Sequence, residues 1–103
     1  MKRLTALGHL VDAYLHEDFA DCHGSARGAV ESFARDEPEY ALQIRREIVY
    51  LLSRSQSESE VESALVDLGI CYLPTGDGWP DHRSWLLAVA DQVDAIVRKS
   101  PAA

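Results

Sequence analysis

The chain has 103 residues, 47% of them hydrophobic and 26% charged, with a formal net charge of −7 at pH 7. That length suits one domain, long enough to bury a core without covalent staples, and the apolar fraction excludes wholesale disorder. Seventeen acidic side chains against ten basic ones make a poor surface for holding phosphates, so nucleic-acid binding is excluded first. Cys22 and Cys71 do not amount to a disulfide framework. Gly8, His9 and Asp12 interrupt the apolar run after Met1-Lys2-Arg3, so no secretory leader is expected. No stretch has the apolar length of a membrane span. The expectation is a soluble, reduced, cytoplasmic protein with no membrane association.

The dominant period is helical. Leu4, Leu7, Leu10, Val11, Tyr14 and Leu15 recur at spacings of three and four, the stripe of an amphipathic first helix. Ser25 is placed to cap a second helix bearing Ala29, Val30 and Phe33. Asp36-Glu37-Pro38 ends it and opens a third, since proline suits a first helical turn. The apolar face expected there is Ala41, Leu42, Ile44, Ile48, Leu51 and Leu52. Ser57-Glu58-Ser59-Glu60 reads as a capping box before Val61, Leu65 and Leu68, with Gly69 closing that helix in the left-handed conformation. Ile70 to Leu73 is a short apolar stretch rich in strand formers, expected to be an extended connector. Pro74 to Pro80 reads as a loop. A last helix from Asp81 carries Trp85, Leu86, Val89, Val93, Ile96 and Val97, and residues 100–103 read as a disordered tail. The expected fold is an all-α, compact single-domain bundle of about five helices spanning 1–103.

Few residues invite chemistry. His16, Asp18, Cys22 and His23 are zinc-ligand types within eight positions, but no standard ligand spacing occurs among them. Cys22 beside His23 sets a thiol next to a base, yet adjacent residues rarely orient one another for nucleophilic catalysis. Gly76-Asp77-Gly78 is a turn that lacks the lysine and longer glycine pattern of a phosphate loop. Trp85, at helical spacing with Val89, reads as core, whereas Trp79 on the loop is less explained. The expectation is therefore no enzyme, no cofactor and no bound metal. Charge placement says more. From Ser55 to Val97 eight acids face Arg83 alone, so that segment nets −7 and the remainder nets zero. Helix dipoles account for the acids at helix starts, Glu58 to Glu62 and Asp81, but not for Asp67, Asp77, Asp91 and Asp94. Glu58 and Glu62 also repel each other across one helical turn, with no basic partner in the sequence.

Three stretches in register, Tyr14-Leu15-His16-Glu17-Asp18-Phe19, Leu68-Gly69-Ile70-Cys71-Tyr72-Leu73-Pro74 and Ser84-Trp85-Leu86, resemble the immunity proteins of contact-dependent growth inhibition, the CdiI type. Phe19 stands where a tryptophan is the commoner aromatic. The resemblance implies a small helical protein that binds and silences a cognate toxin domain, typically a nuclease, as a heterodimer. An acidic surface against a basic toxin cleft would then explain the charge asymmetry. On that reading Tyr14, His16, Asp18, Gly69, Tyr72 and Trp85 serve the fold, while Glu58, Glu62, Asp67, Asp77 and Asp81 contact the toxin with Trp79 as an aromatic anchor. The competing readings are a small metal or thiol module around His16, Cys22 and His23, and an acidic adaptor for some other partner.

Overall fold

The computed structural model describes residues 4–15 and 24–99. Their architecture is all-α: α1 (Thr5–His9), continuing as a π-helical turn (Leu10–Tyr14), α2 (Ala26–Asp36), α3 (Pro38–Arg54), α4 (Glu58–Leu68) and α5 (His82–Lys99), with a 3-10 turn at Pro74–Asp77 before the last helix. No strand occurs among the described residues. The expected residues 16–23 and the tail 100–103 lie outside them.

Local chemistry sets the boundaries. Ser25 Oγ accepts the Gly28 amide 3.0 Å away and starts α2; Pro38 occupies the first turn of α3. Gly69, at φ +98°, closes α4 in a conformation that a β-carbon disfavours. The stripe of the first segment is buried as expected at Leu4, Leu7, Leu10, Val11 and Leu15. Its pitch changes midway, however: the Leu15 amide bonds the Leu10 carbonyl five residues back, which widens the last turn. Ile70 to Leu73 runs as a connector with no strand partner. It is held by the Cys71 amide on the Leu15 carbonyl.

The core is one cluster. Phe33 of α2, Leu7, Leu10 and Leu15 of the first segment, Ile44 and Ile48 of α3, Leu65 of α4 and Leu86 of α5 are all fully buried. Each large apolar side chain removed from water contributes about 1.5–3 kcal/mol. Two residues of α3 depart from the expected pattern. Leu42 is 71% exposed: at about 100° per residue it falls opposite the Ile44–Ile48–Leu51 stripe. The same rotation turns Glu47 inward. Glu47 is 5% exposed, and its two carboxyl oxygens accept the amides of Leu7 at 2.8 Å and Ala6 at 3.0 Å. These are free amides of the first turn of α1, which otherwise has no side-chain cap. A residue of α3 thus caps α1 from inside the core.

Replacing Glu47 with alanine orphans two buried amides, so Glu47→Ala is expected to lower the unfolding free energy by about 2–3 kcal/mol. Glu47→Gln keeps one acceptor and sets an amide group against the other N–H, and should fall between. Urea titration of the three proteins measures this; equal midpoints for wild type and Glu47→Ala would refute the capping role.

Candidate interaction surface

The acids of the C-terminal half have distinct tasks. At the start of α4, Ser57 Oγ accepts the Glu60 amide at 3.2 Å, and Glu60 reaches the Gln56 amide at 2.7 Å. The box is therefore shifted by one residue from the reciprocal Ser57–Glu60 exchange that the sequence suggests. Glu58 points the other way. Its Oε2 accepts the His82 amide at 2.7 Å and meets His82 Nδ1, joining the N-termini of α4 and α5. Partial burial alone would raise the Glu58 carboxyl. The His82 amide and imidazole outweigh it and hold the group below the usual carboxylate range. Asp81 caps α5, its Oδ1 accepting the Ser84 amide at 2.7 Å; its hydrogen bonds with Ser84, side chain then backbone, lower its pKa. Glu58, Glu60 and Asp81 thus gather at two helix starts, where the dipoles favour negative charge.

This corrects one expectation. Glu58 does have a basic partner, and reversing its charge carries a structural cost. The partner is a histidine, which a count of lysines and arginines omits.

Asp91 and Asp94, which helix dipoles leave unexplained, both take Arg45 across the α3–α5 interface at 2.5 and 2.6 Å. Those hydrogen bonds, the one that Arg45 donates to Asp94 foremost, raise the Arg45 pKa. Asp77 accepts the Tyr72 hydroxyl at 2.7 Å; burial first, then Asp77, pushes the Tyr72 phenol well above its ordinary value. Glu62 and Asp67 remain. Both are exposed on α4 and hold no partner among the described residues.

Beside these acids lies a cleft of about 410 Å³ between α2, the Pro74–Asp77 turn and α5, lined by Arg27, Tyr72, Asp77, Trp79, Trp85 and Gln92 among others. The Tyr72 and Trp85 rings pack 5.3 Å apart, and the half-buried Trp79 hydrogen-bonds the Tyr72 oxygen. Trp85 is core, as its spacing predicts. Gly69 precedes the connector and Tyr72 lies within it.

A second polar group, absent from the sequence reading, gathers at the π-helical turn. Tyr14 donates towards Asp36 and Glu37 at 3.4 and 3.3 Å, and His9 Nε2 lies 3.2 Å from Glu37. Burial, then the Asp36 and Glu37 charges, push the Tyr14 phenol up to about 12. Its ring sits edge-on to Phe33 at 5.6 Å, so this group packs the first segment onto the α2–α3 corner. Only tertiary packing joins residues so far apart in the chain, and no local motif announces it. His16, Asp18, Cys22 and His23 lie outside the described residues. Among the described residues, no three His, Cys, Asp or Glu side chains are grouped to hold a metal ion, and no helix is long and apolar enough to cross a membrane.

The described residues form a helical domain whose polar side chains tie its helices together, beside a cleft lined in part by aromatic side chains. The CdiI immunity protein family model matches residues 3–93, and the chain belongs to that family. Its role is toxin-neutralising immunity, exercised on a cognate toxin partner; proteins of this kind are generally non-enzymatic. Neither a curated protein nor a solved structure matches the chain.

The Glu58–His82 tie has a pH signature. Because the folded Glu58 pKa is depressed, its contribution is full above the ordinary value of 4.5 and is lost as pH falls through the folded value. Glu58→Gln retains an acceptor but not the charge. It should be less stable than wild type at pH 7, with the difference closing below about pH 4.5. Thermal melts across pH 3 to 7 check this; a gap constant with pH would show that the charge contributes nothing.

Proposed function

We propose that this protein neutralises a nuclease toxin domain in the cytoplasm, as a heterodimer, by setting its acidic face against the toxin's basic substrate cleft. The contact residues in this reading are Glu58, Glu62, Asp67, Asp77 and Asp81, with Trp79 as an aromatic anchor.

One observation carries it: Glu62 and Asp67 sit where the fold gains nothing from a negative charge. Glu62 is one turn from Glu58, a like-charge pair that costs about 0.2–0.5 kcal/mol. Asp67 lies in the last turn of α4, which holds no basic residue, at the negative end of the dipole, a cost of about 0.3–1 kcal/mol. Asp77 and Asp81 add to the same field, because hydrogen bonds from neutral donors leave a carboxylate's charge in place. Arg45, by contrast, pairs with both Asp91 and Asp94 and cancels one of their two charges. A nuclease must present cations to a polyanionic substrate, so a carboxylate surface competes for the same groups and is steered to them.

The test is association kinetics with the toxin domain encoded immediately upstream. Glu62→Lys and Asp67→Lys should each slow association several-fold at low salt, with less effect at high salt. Both substitutions relieve unfavourable local charge, so melting temperatures should hold or rise. Glu39→Lys, exposed in the first turn of α3 and outside the acidic half of the sequence, is the charge-matched control and should leave the rate nearly unchanged. Equal slowing by all three variants, or rates independent of salt, would refute the acidic-face mechanism.

A further inference from the structure

We propose that the cleft between α2, the Pro74–Asp77 turn and α5 receives a cationic side chain, arginine or lysine, from the toxin. This rests on the acidic-face reading above and names the anchor within it.

The cleft is built before any partner arrives. Asp77 is held by the Tyr72 hydroxyl, Trp79 by its amide on the Pro74 carbonyl at 3.2 Å and by its indole on Tyr72, and the opposite wall by Gln92, which donates to the Arg27 carbonyl at 2.9 Å. A preformed cleft spares the ordering cost that a mobile one would charge to binding. Its volume of about 410 Å³ accommodates one long side chain and excludes a folded segment. The walls carry opposite charge, Asp77 on the turn and Arg27 on α2, so the guest's sign follows from the remaining surroundings. Tyr72 and Trp79, both half-buried, are the aromatic side chains in the lining that keep some exposure, and aromatic rings attract cations. Asp81 follows Asp77 by four residues, and the whole chain carries −7. Arg27 is the single positive charge in the lining. The balance selects a cation, and it places Arg27 as the group that weakens its binding.

That gives two substitutions with opposite expected signs. Asp77→Asn keeps a carbonyl oxygen for the Tyr72 hydroxyl, so the turn is preserved while the charge is lost; toxin affinity should fall about tenfold. Arg27→Gln should raise affinity about threefold. Melting temperatures identify any variant that fails to fold, in which case Asp77→Ser provides the second neutral replacement.

The protein's two tryptophans, Trp79 and Trp85, both line this cleft. The full chain labelled with 5-fluorotryptophan therefore gives two fluorine resonances that report on it directly when unlabelled upstream toxin domain is added. The expected result is a shift of at least one resonance at saturation, with the two affinity changes in the stated directions. Wild-type protein that does not bind this toxin overturns the immunity pairing and the anchor together. Tight binding with both resonances unmoved and both variants unchanged overturns the cleft alone. A gain with Asp77→Asn and a loss with Arg27→Gln would mean an anionic guest, and refutes the cation.

Discussion

Glu47 is the side chain on which the arrangement of this protein turns. The first helix is a single turn and a half, too short to be stable alone, and has no cap of its own. Its free N-terminal amides instead point into the core, where an unpartnered N–H is costly. Glu47 supplies both acceptors from α3 and so fixes where α1 begins against the bundle. The consequences run along the chain. With α1 set, Leu7, Leu10, Val11 and Leu15 reach the core, and the Leu15 carbonyl takes the Cys71 amide. That bond positions the connector, and the next residue, Tyr72, supplies one wall of the cleft and holds Asp77. A buried acid far from the surface thereby determines the geometry of the candidate binding face.

Much of the fold is legible in the sequence because its signals are local. Ser25, Pro38, Ser57 and Gly69 mark helix ends through chemistry within four residues, and the apolar stripes give the helices between them. Two features escape for different reasons. Leu42 looks like core by type alone, though the angular position of its neighbours excludes it. Glu47 lies on the buried stripe, three residues after Ile44 and four before Leu51, but its polarity argues against burial until a partner is known. That partner is a pair of backbone amides forty positions away, which no periodicity contains. The π-helical turn likewise leaves the three-and-four pattern intact and shows only in the hydrogen bond that is displaced by one residue.

The candidate face was legible as a charge excess, not as a geometry. Sequence counting groups Asp91 and Asp94 with Asp67 and Asp77; folding brings Arg45 from the other half of the chain to the first pair, while the second pair makes no ion pair among the described residues. The partner of Glu58 escapes a count that treats histidine as neutral, although His82 sits at the start of the next helix. Trp79 stood out as a loop aromatic without an assigned role. Tyr72 and Trp85, assigned to the fold, prove to share a cleft with it. Structural and binding positions are thus interleaved residue by residue, and no sequence boundary separates them.

The acids serve the fold and the face through two different properties of a carboxylate. The fold uses lone pairs: Asp81 caps an amide, Glu60 another, and Asp77 receives a hydroxyl. None of these donors is a cation, so the net charge survives the interaction and remains available to an approaching partner. A neutral acceptor such as asparagine serves the first purpose and not the second. Glu58 differs, because its donors are the His82 amide and imidazole, so its carboxylate is committed to the tie that joins α4 to α5. Glu62 and Asp67 differ again, having no structural use for their lone pairs among the described residues. The face therefore grades from acids that the fold needs, through acids it needs only as acceptors, to acids that it bears at a small cost. The last kind is exposed on α4, and a mechanism based on charge depends on it most.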